Sequence, residues 1–462
     1  MKTIAIIGGG AAGLAAAMAA AEAVRDAGAG AGSGAEVRVT VYEASDRVGR
    51  SILATGNGRC NFSNAVIDAS RYRNGAFVEE ALDACETRFC EDGESAGAPH
   101  ALNAMSCADA VGARDAVLRF FADHGLMWRE EGEGRLYPLA NKATSVLDCL
   151  RAACVAADVR ELVESEVTAV EAPRGEGDRF TLRLADRRLE RADAVIVAVG
   201  GAAGERLLPA GVPFRTMAPT LGPIATDPRW PRQLDNIRVR GALELWRPGE
   251  AMSPEACRDA GFAPDEHLGE RLVARETGEV MFRKYGVSGI AAFNLSRLME
   301  PGDELAVDFV PGVRRADMAA FLNRRRKMLF ASLDRSVTWE DMLRGMVLAP
   351  VADVLLKAAG LRGGGETTKE GAAKLARVLK GLRLPVTGLG DERQCQVHRG
   401  GVEVAAIDAR TCEVREVPGL YVVGEALDVD APCGGYNLHW AWASGLLAGW
   451  SAAARLSKGG AR

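Results

Sequence analysis

The sequence predicts an α/β protein in which one domain with a parallel sheet is interrupted by inserted segments. Two observations carry this prediction. Near the start, a short apolar run leads into a glycine turn at 8–13 and then into an Ala-rich helical stretch at 14–27. Near the end, an apolar run at 417–425 and a helical stretch at 436–454 repeat the order strand, turn, helix. Because alternating strands and helices are typical of parallel sheets, we expect both ends of the chain in one domain.

The middle of the chain has a different pattern. After 204, prolines separate short strand-like segments as far as 310, and the pattern then turns helical until about 385. Proline-punctuated short strands favour a β-rich insert. We therefore predict a Rossmann-like domain in two parts, a β-rich insert and a helical insert. Their expected bounds are 1–203, 204–310, 311–385 and 386–462.

Shorter segments are assigned from their periodicity and glycine content. The tract at 28–34 is expected to be a flexible surface loop, because it alternates glycine with alanine and serine. The stretch at 75–155 is expected to be mostly helical. Strands are expected at 166–172 and 180–184, and a buried strand at 192–201 that ends in a double glycine.

The glycine turn has the spacing that binds a dinucleotide. Gly8 permits a tight turn, Gly10 lets the backbone approach a diphosphate, and Gly13 lets the helix pack close to the sheet. The second strand ends in Glu43, whose carboxylate can accept hydrogen bonds from ribose hydroxyls. Strand, turn, helix and terminal acid together predict a dinucleotide site.

Composition excludes several other classes of protein. No apolar run is long enough to cross a membrane, and no Cys-x-x-Cys pair is present, so neither a membrane protein nor a metal site is expected. With no export signal apparent, we expect a cytoplasmic protein with reduced thiols.

The net charge is −5, but 311–383 carries 15 Lys and Arg against 7 Asp and Glu. This excess of 8 positive charges is either a solvated helical face or a patch for a polyanion such as RNA.

Two further loops fit a flavin. The segment from Gly424 to Leu438 reads GEALDVDAPCGGYNL and precedes the closing helix. The acid of such a Gly-Glu motif binds the ribityl chain in FAD proteins, and the N–H groups at the helix start stabilise charge on the flavin ring. The loop 49–64 reads GRSILATGNGRCNFSN, and its asparagines can hydrogen-bond ring atoms in either sense. The cofactor is therefore expected to be FAD.

These loops, together with 278–289, resemble the YhiN/BaiN-like flavoprotein family. The resemblance spans most of the chain and implies an NAD(P)/FAD-dependent oxidoreductase with a split FAD domain, a β-barrel-like insert and a helical insert. Ser51 stands where the family commonly has lysine, and His398 where threonine is usual. Neither difference removes the FAD site. The residues expected to bind FAD are Gly8, Gly10, Ala12, Gly13, Glu43, Arg50, Thr55, Asn57, Gly58, Cys60, Asn61, Val167, Gly200, Gly201, Gly424, Glu425, Gly435, Asn437 and Leu438.

The candidate catalytic residues are Cys60, His398 and Tyr436. Cys60 could donate a proton to a reduced carbon as a neutral thiol with a pKa near 8.5, in a slightly basic setting beside Arg50 and Arg59. Cys60 and Tyr436 could instead serve packing alone. His439, at the start of a helix, is more typical of a structural residue.

Three functions remain open from the sequence. The first is an FAD enzyme that reduces an activated C=C bond, or oxidises a small amine, ketone or steroid-like substrate, with NAD(P)H as a transient donor. The second is reduction of uridine in ribosomal RNA to dihydrouridine, an activity associated with part of the family. The third is a flavin-binding protein without catalysis, which the complete set of flavin loops makes least favoured.

Overall fold

The computed structural model describes residues 1–30, 36–92, 115–175, 177–202, 204–249, 251–259 and 269–458. The chain divides into two compact units. One consists of Met1–Ala218 together with Val397–Arg462, and the other of Pro219–Gln396. The finer four-part division stays a prediction.

The strands, in chain order, are β1 (Lys2–Ile7), β2 (Val37–Tyr42), β3 (Ser63–Asn64), β4 (Trp128–Glu131), β5 (Arg135–Pro138), β6 (Arg160–Leu162), β7 (Val167–Glu171), β8 (Phe180–Leu184), β9 (Leu189–Ala192), β10 (Ala194–Val197), β11 (Phe214–Thr220), β12 (Ile224–Thr226), β13 (Arg238–Pro248), β14 (Glu270–Arg283), β15 (Gly286–Ser288), β16 (Glu304–Asp308), β17 (Leu382–Leu389), β18 (Val397–Val402), β19 (Ile407–Asp408), β20 (Glu413–Val414) and β21 (Leu420–Val422). The helices are α1 (Ala11–Gly30), α2 (Arg50–Ala54), α3 (Gly75–Asp92), α4 (Ala116–Asp123), α5 (Ala143–Ala156), α6 (Pro254–Asp259), α7 (Ile290–Ser296), α8 (Met318–Leu333), α9 (Trp339–Leu343), α10 (Ala349–Ala358), α11 (Lys369–Leu379) and α12 (Tyr436–Lys458).

The first unit is built on a mostly parallel sheet with the strand order β19-β20-β21-β10-β1-β2-β6. Its centre, β21-β10-β1-β2, is parallel throughout. The residues of β10 are all buried, as a strand with both faces covered requires. Strand β21 comes from the end of the chain and pairs with β10, which pairs with β1. The Rossmann-like fold, interrupted in sequence, is thus confirmed.

This strand order brings separate loops to one edge of the sheet. In a parallel sheet the carboxyl ends of neighbouring strands lie side by side, and ligands bind there. The glycine turn follows β1, Glu43 follows β2, Gly200 and Gly201 follow β10, and Gly424 follows β21. The fold therefore places the predicted dinucleotide residues along the same edge.

Helices α1 and α12 cover the sheet in close contact with one another. A Cβ atom on Gly445 would lie 2.4 Å from the carbonyl oxygen of Ala12, and one on Gly449 would lie 2.4 Å from that of Ala16. The glycines of α12 thus face the backbone of α1, and the alanines of α1 complete a contact with no room for larger side chains.

The second unit contains a closed antiparallel barrel with the order β12-β15-β14-β13-β16-β17. The long strands β13 and β14 pair along most of their length. Helices α8 to α11 lie between β16 and β17 in sequence, and their apolar residues share one buried core with the barrel. The predicted β-barrel-like and helical inserts are both present.

Several local expectations are corrected by the structure. Most of the described part of 75–155 is helical, in α3, α4 and α5, as predicted, but β4 and β5 form an unpredicted hairpin within it and β5 pairs with β3. The turn Gly132–Gly134 between those strands is the hairpin signal that the helical interpretation overlooked. The expected loop at 28–34 is wrong for 28–30, because α1 continues to Gly30, and 31–34 fall outside the described residues.

Within the described ranges, no helix is both long and apolar enough to cross a membrane, and no cluster of His, Cys, Asp and Glu is suited to holding a metal ion.

Candidate cofactor and active site

The glycine turn after β1 is shaped by contacts that exclude side chains. Gly8 has φ +101°, and a Cβ there would lie 2.5 Å from the carbonyl oxygen of Ala198. A Cβ on Gly13 would lie 1.9 Å from the carbonyl oxygen of Gly8. At Gly10 the nearest atom is the Ser51 hydroxyl oxygen, 3.1 Å from such a Cβ. Gly8 and Gly13 are therefore needed for the turn itself, whereas Gly10 leaves its face clear for a ligand.

The first helical hydrogen bond of α1 runs from the N–H of Leu14 to the carbonyl of Gly10. The N–H groups at the start of α1, from Ala11 to Gly13, have no acceptor within the helix, so they can bind a diphosphate. Glu43 closes this site, since its Oε2 accepts from the Gly9 N–H at 2.8 Å and its Oε1 from the Ser45 N–H at 2.7 Å. The carboxylate is thereby fixed at the end of β2 with lone pairs left for ribose hydroxyls.

The second loop follows α2 and has an unusual backbone. Gly56, Asn57, Gly58 and Cys60 all have φ between +54° and +81°. Thr55 starts this turn, with its hydroxyl donating to the Ile52 carbonyl at 2.7 Å. Left-handed residues of this kind cluster where a backbone is shaped for a ligand. Arg50, at the start of α2, is exposed.

Asn61 supplies the most direct sign of a missing partner in this loop. Its Oδ1 is buried, and no hydrogen bond to it is present among the described residues. Leaving such an acceptor unpaired costs about 1–3 kcal/mol. A ligand N–H, such as that of a flavin ring, would satisfy it. The residue therefore fits the predicted flavin contact.

The expected chemical setting of Cys60 is wrong. The side chain is completely buried, and burial raises the pKa of its thiol to about 11. Arg59 does not make the setting basic, because its guanidinium pairs with Glu131 and lies over the ring of Tyr137. Arg50 is exposed at the surface. The loop therefore does not contain a thiol with a pKa near 8.5.

The third loop meets both of the others. Gly424 has φ +61°, and a Cβ there would lie 3.1 Å from the Cβ of Ala12 in the first turn. Gly435 has φ +98°, and a Cβ there would lie 2.1 Å from the carbonyl oxygen of Ser63, near the end of the second loop. Three segments far apart in sequence thus converge, and the close approaches leave a cradle that only glycines can line.

The helix start after this loop is anchored by the side chains of Asn437 and Tyr436. Asn437 closes the loop, since its Oδ1 accepts from the Ala431 N–H at 2.9 Å and its Nδ2 donates to the Ala431 carbonyl at 2.8 Å. The Tyr436 hydroxyl accepts from Arg71 at 2.9 Å and donates to the Val66 carbonyl at 3.0 Å. The backbone N–H groups in the first turn of α12, including that of Leu438, are left to interact with a flavin ring.

Glu425, in the turn after β21, forms a hydrogen-bonded pair with His398 on β18. Glu425 Oε1 accepts from the His398 N–H at 2.8 Å and lies 2.9 Å from His398 Nδ1. A Cβ on Gly201 would lie 2.1 Å from that Nδ1, so the turn after β10 packs directly on the pair. The hydrogen bond with Glu425 raises the pKa of His398 above its usual value, in spite of partial burial.

The remaining predicted residues lie near these loops without a defined contact. Gly200 has φ +59° and open space at its Cβ position. Val167 is buried at the start of β7. Two residues before it, the Ser165 N–H donates to the backbone carbonyl of Glu43 at the end of β2. Roles for both in binding FAD stay predictions.

The sequence interpretation missed a buried charge network that supports the third loop. Asp428 and Asp430 are almost fully buried. Arg73 donates to Asp428 at 2.8 Å, and Arg399 makes two bonds to Asp430 at 3.0 and 3.1 Å. The alternation of the two acids in the Glu-Ala-Leu-Asp-Val-Asp run was the available signal. Because removing one partner of a buried pair costs about 3–5 kcal/mol, this network holds the loop firmly.

His439 is a structural residue, as its place in α12 indicated. It is buried, burial lowers its pKa, and its Nδ1 lies 2.9 Å from the Ser63 hydroxyl. The imidazole is therefore neutral and helps to fasten α12 to β3.

Comparison with known proteins agrees with this site. The model of the HI0933-like protein Rossmann domain matches residues 103–451. The 3-dehydro-bile acid delta(4,6)-reductase of Clostridium scindens is 32% identical, over 98% of this chain and 100% of that protein. The ribosomal RNA dihydrouridine synthases of Escherichia coli and Haemophilus influenzae are 27% and 24% identical, each over 88% of this chain and 90% of theirs.

The residues present fit FAD on three counts: the glycine cradle, the carboxylate at the end of β2 and the unpaired buried oxygen of Asn61. The family match covers most of the chain, and the bile acid reductase aligns over nearly its whole length. The chain therefore belongs to the HI0933-like family of Rossmann-domain proteins, and it is an FAD-dependent oxidoreductase.

Proposed function

We propose that the protein reduces a C=C bond conjugated to a carbonyl in a small, largely apolar substrate of the steroid type, with a nicotinamide dinucleotide as electron donor. The observation that carries the proposal is the His398–Glu425 pair at the same sheet edge as the dinucleotide turn. Reducing such a bond requires a hydride at one carbon and a proton at the other. A histidine whose pKa is raised supplies protons near neutral pH, which suits reduction better than amine oxidation, where a base is needed.

Residues of this chain divide the remaining tasks. The turn Gly8–Gly13, Glu43, Asn61 and the start of α12 would hold the cofactor. When bound and reduced, FAD supplies the hydride. The side chains of this unit then orient the substrate and deliver the proton.

The size of the substrate is suggested by the relative that aligns over its whole length. That protein is named for its action on a 3-dehydro-bile acid, which contains a carbonyl conjugated to C=C bonds. Identity of 32% over nearly all of both chains supports the same reaction class here. It does not fix the side groups of the substrate, because substrate preference depends on a few contacts.

Ribosomal RNA is the second candidate, since two relatives are named ribosomal RNA dihydrouridine synthases. The 5,6 double bond of uridine is also conjugated to a carbonyl, so the chemistry would be the same. The basic segment 311–383 gives this candidate less support than its charge suggested. Many of its cations are used internally. Arg325 donates to the carbonyls of Met342 and Arg344, and Lys380 is buried against Asp308.

A half-reaction experiment separates the two candidates. The FAD is reduced with dithionite without oxygen, and its reoxidation is followed at increasing concentrations of a 4-en-3-one steroid or of a uridine-containing ribosomal RNA fragment. We expect saturable reoxidation by the steroid and none by the RNA. Reoxidation by RNA alone would transfer the proposal to the second candidate, and reoxidation by neither would refute both. A parallel titration with NADH and NADPH tests the proposed donor.

A further inference from the structure

The proton that the reduced substrate takes up has several possible sources in the first unit. Cys60 and His439 are completely or almost completely buried. Burial raises the pKa of the Cys60 thiol and lowers the pKa of the His439 imidazole, so both side chains favour the neutral form. The Tyr436 hydroxyl is held between Arg71 and the carbonyl of Val66. His398 differs from all three, because 41% of its side chain is exposed.

The hydrogen bonds of His398 determine which of its two ring nitrogens carries a proton. Glu425 Oε1 is an acceptor and receives both the backbone N–H and the ring Nδ1 of His398, at 2.8 and 2.9 Å. Nδ1 must therefore carry a proton. Two bonds from one residue to one oxygen fix the ring relative to the carboxylate, and the backbone of Gly201 blocks it on one side. Any second proton on the ring lies on Nε2.

We propose that Glu425 positions His398 so that Nε2 of the imidazolium donates the proton in the reduction. This inference rests on the proposed function and deepens it. As the substrate accepts a hydride at the β-carbon of its conjugated C=C bond, the Nε2–H bond breaks and a C–H bond forms at the α-carbon. His398 is left neutral, with its Nδ1 proton retained on the bond to Glu425, and takes a proton back from water. The carboxylate plays the part that it plays in other carboxylate–imidazole pairs, holding one tautomer and stabilising the cation.

The charges around His398 favour the cation on balance. Glu425 comes from the turn Gly424–Ala426, and the turn Gly200–Ala202 brings no charged residue. Two arginines lie nearby in sequence or on the neighbouring strand: Arg399, next to His398 on β18, pairs with Asp430, and Arg215 on β11 lies 3.5 Å from Asp428. Both arginines lie beside buried carboxylates, Asp430 and Asp428, and the carboxylate that contacts His398 is Glu425.

The kinetic test uses the dithionite-reduced holoenzyme. In His398→Gln we expect unchanged FAD content and unchanged reduction by dithionite, but reoxidation by the enone slowed by about 10²–10⁴-fold. Added imidazole should restore part of the rate in His398→Ala. In the wild type the rate should fall as pH rises through the pKa of His398, because the imidazolium is lost. The variant should lack this fall.

The positioning role of Glu425 is tested without activity. Histidine-labelled apoprotein is titrated by NMR, where the His398 signal is assigned by its loss in His398→Gln. We expect its pKa above 6.5 in the wild type and lower in Glu425→Gln, because the carboxylate charge is gone. The pair of His124 with Glu22, whose atoms lie 2.9 Å apart, provides the control. His124→Gln should leave both the His398 titration and the reoxidation rate unchanged.

Failure of this inference can be told from failure of the proposed function. If the wild type reduces the enone and His398→Gln does so within twofold at the same pH dependence, the inference is wrong and the function stands. An unchanged His398 titration in Glu425→Gln would also refute the positioning role. If the wild type reduces no enone, the proposed function is wrong, whatever the NMR titration shows.

Discussion

At the scale of single residues, the thiol of Cys60 shows how burial overrides what a loop sequence suggests. With a pKa of about 11, only about a thousandth of this thiol is ionised at pH 8. We expect iodoacetamide to leave Cys60 unmodified in the native protein at pH 8 and to modify it after unfolding, as read by peptide mass spectrometry. Since the folded state favours the neutral thiol, its contribution to stability is complete below pH 9 and declines as pH rises toward 11.

The same burial argues against Cys60 as the proton donor. Cys60→Ser should slow reoxidation by substrate by less than tenfold, whereas His398→Gln should slow it far more. Rapid native alkylation of Cys60, or a loss in Cys60→Ser as large as in His398→Gln, would restore the interpretation of Cys60 as the proton donor.

Gly435 is a residue at which backbone conformation and lack of space act together. An alanine there would have φ +98° and place its Cβ 2.1 Å from the Ser63 carbonyl oxygen. Backbone strain alone costs about 1–3 kcal/mol. We expect Gly435→Ala to lose FAD and to lower the free energy of unfolding by more than that range. Gly434→Ala is the matched control, because φ is +126° but the nearest atom is 3.5 Å away. Equal losses in both variants would show that only the backbone conformation matters.

The roles of the glycines in the turn after β1 and of Glu43 after β2 could be predicted from the sequence, because they depend on local spacing. The partners of Asn437 and Tyr436 could not, because Ala431, Val66 and Arg71 reach them only after the chain folds. The unpaired oxygen of Asn61 is likewise a property of its three-dimensional surroundings.

At the scale of elements, the contact of α1 with α12 depends on glycines in α12. Replacing Gly449 by alanine gains about 1 kcal/mol of helix propensity. It also places a Cβ 2.4 Å from the Ala16 carbonyl oxygen and 2.9 Å from the Ala19 Cβ. Overpacking costs about 1–3 kcal/mol, and backbone atoms cannot move aside as a side chain can. We therefore expect Gly449→Ala to lower the melting temperature, measured by circular dichroism.

Ser451→Ala in the same helix is the control for Gly449→Ala, and we expect its stability to change by less than about 0.5 kcal/mol. If Gly449→Ala proved as stable as the wild type, the two helices would have room that the structure does not show.

The elements themselves were predictable where periodicity was strong, as in β8, α4 and α5. The hairpin of β4 and β5 was missed because its strands are four residues each and its turn lies in a stretch with helical texture. Strand β17 was hidden for a related reason. It follows the helices in sequence, yet it closes the barrel by pairing with β12 and β16, and such pairing has no local signal.

At the scale of the whole molecule, summed charge is a poor guide to a binding surface. The segment 311–383 has an excess of 8 positive charges. In the structure, Arg315 pairs with Glu244, Arg383 with Glu270, and Lys380 with Asp308, so carboxylates outside the segment neutralise part of it. Charge counted along a chain cannot include partners that folding brings from elsewhere.

This distribution changes how RNA binding must be tested. Reversing Arg324, Arg325 and Arg326 together would be uninformative, because Arg325 and Arg326 donate to backbone carbonyls and their loss would disturb the helical part. Arg324 and Lys327 lie exposed on α8 instead. The double variant Arg324→Glu with Lys327→Glu therefore removes surface charge and leaves those structural bonds intact.

We expect this double variant to retain its FAD and to reduce the enone at the wild-type rate. We also expect turnover of the neutral substrate to vary little with salt, because no charged contact forms. If RNA were the substrate, the affinity of the wild type for single-stranded RNA would fall with salt at a slope near −0.7 for each phosphate contact, and the variant would show a shallower slope. A steep slope in the wild type that becomes shallower in the variant would thus establish RNA binding at α8. A shallow slope in both, with enone turnover preserved, leaves the small-molecule reductase as the function.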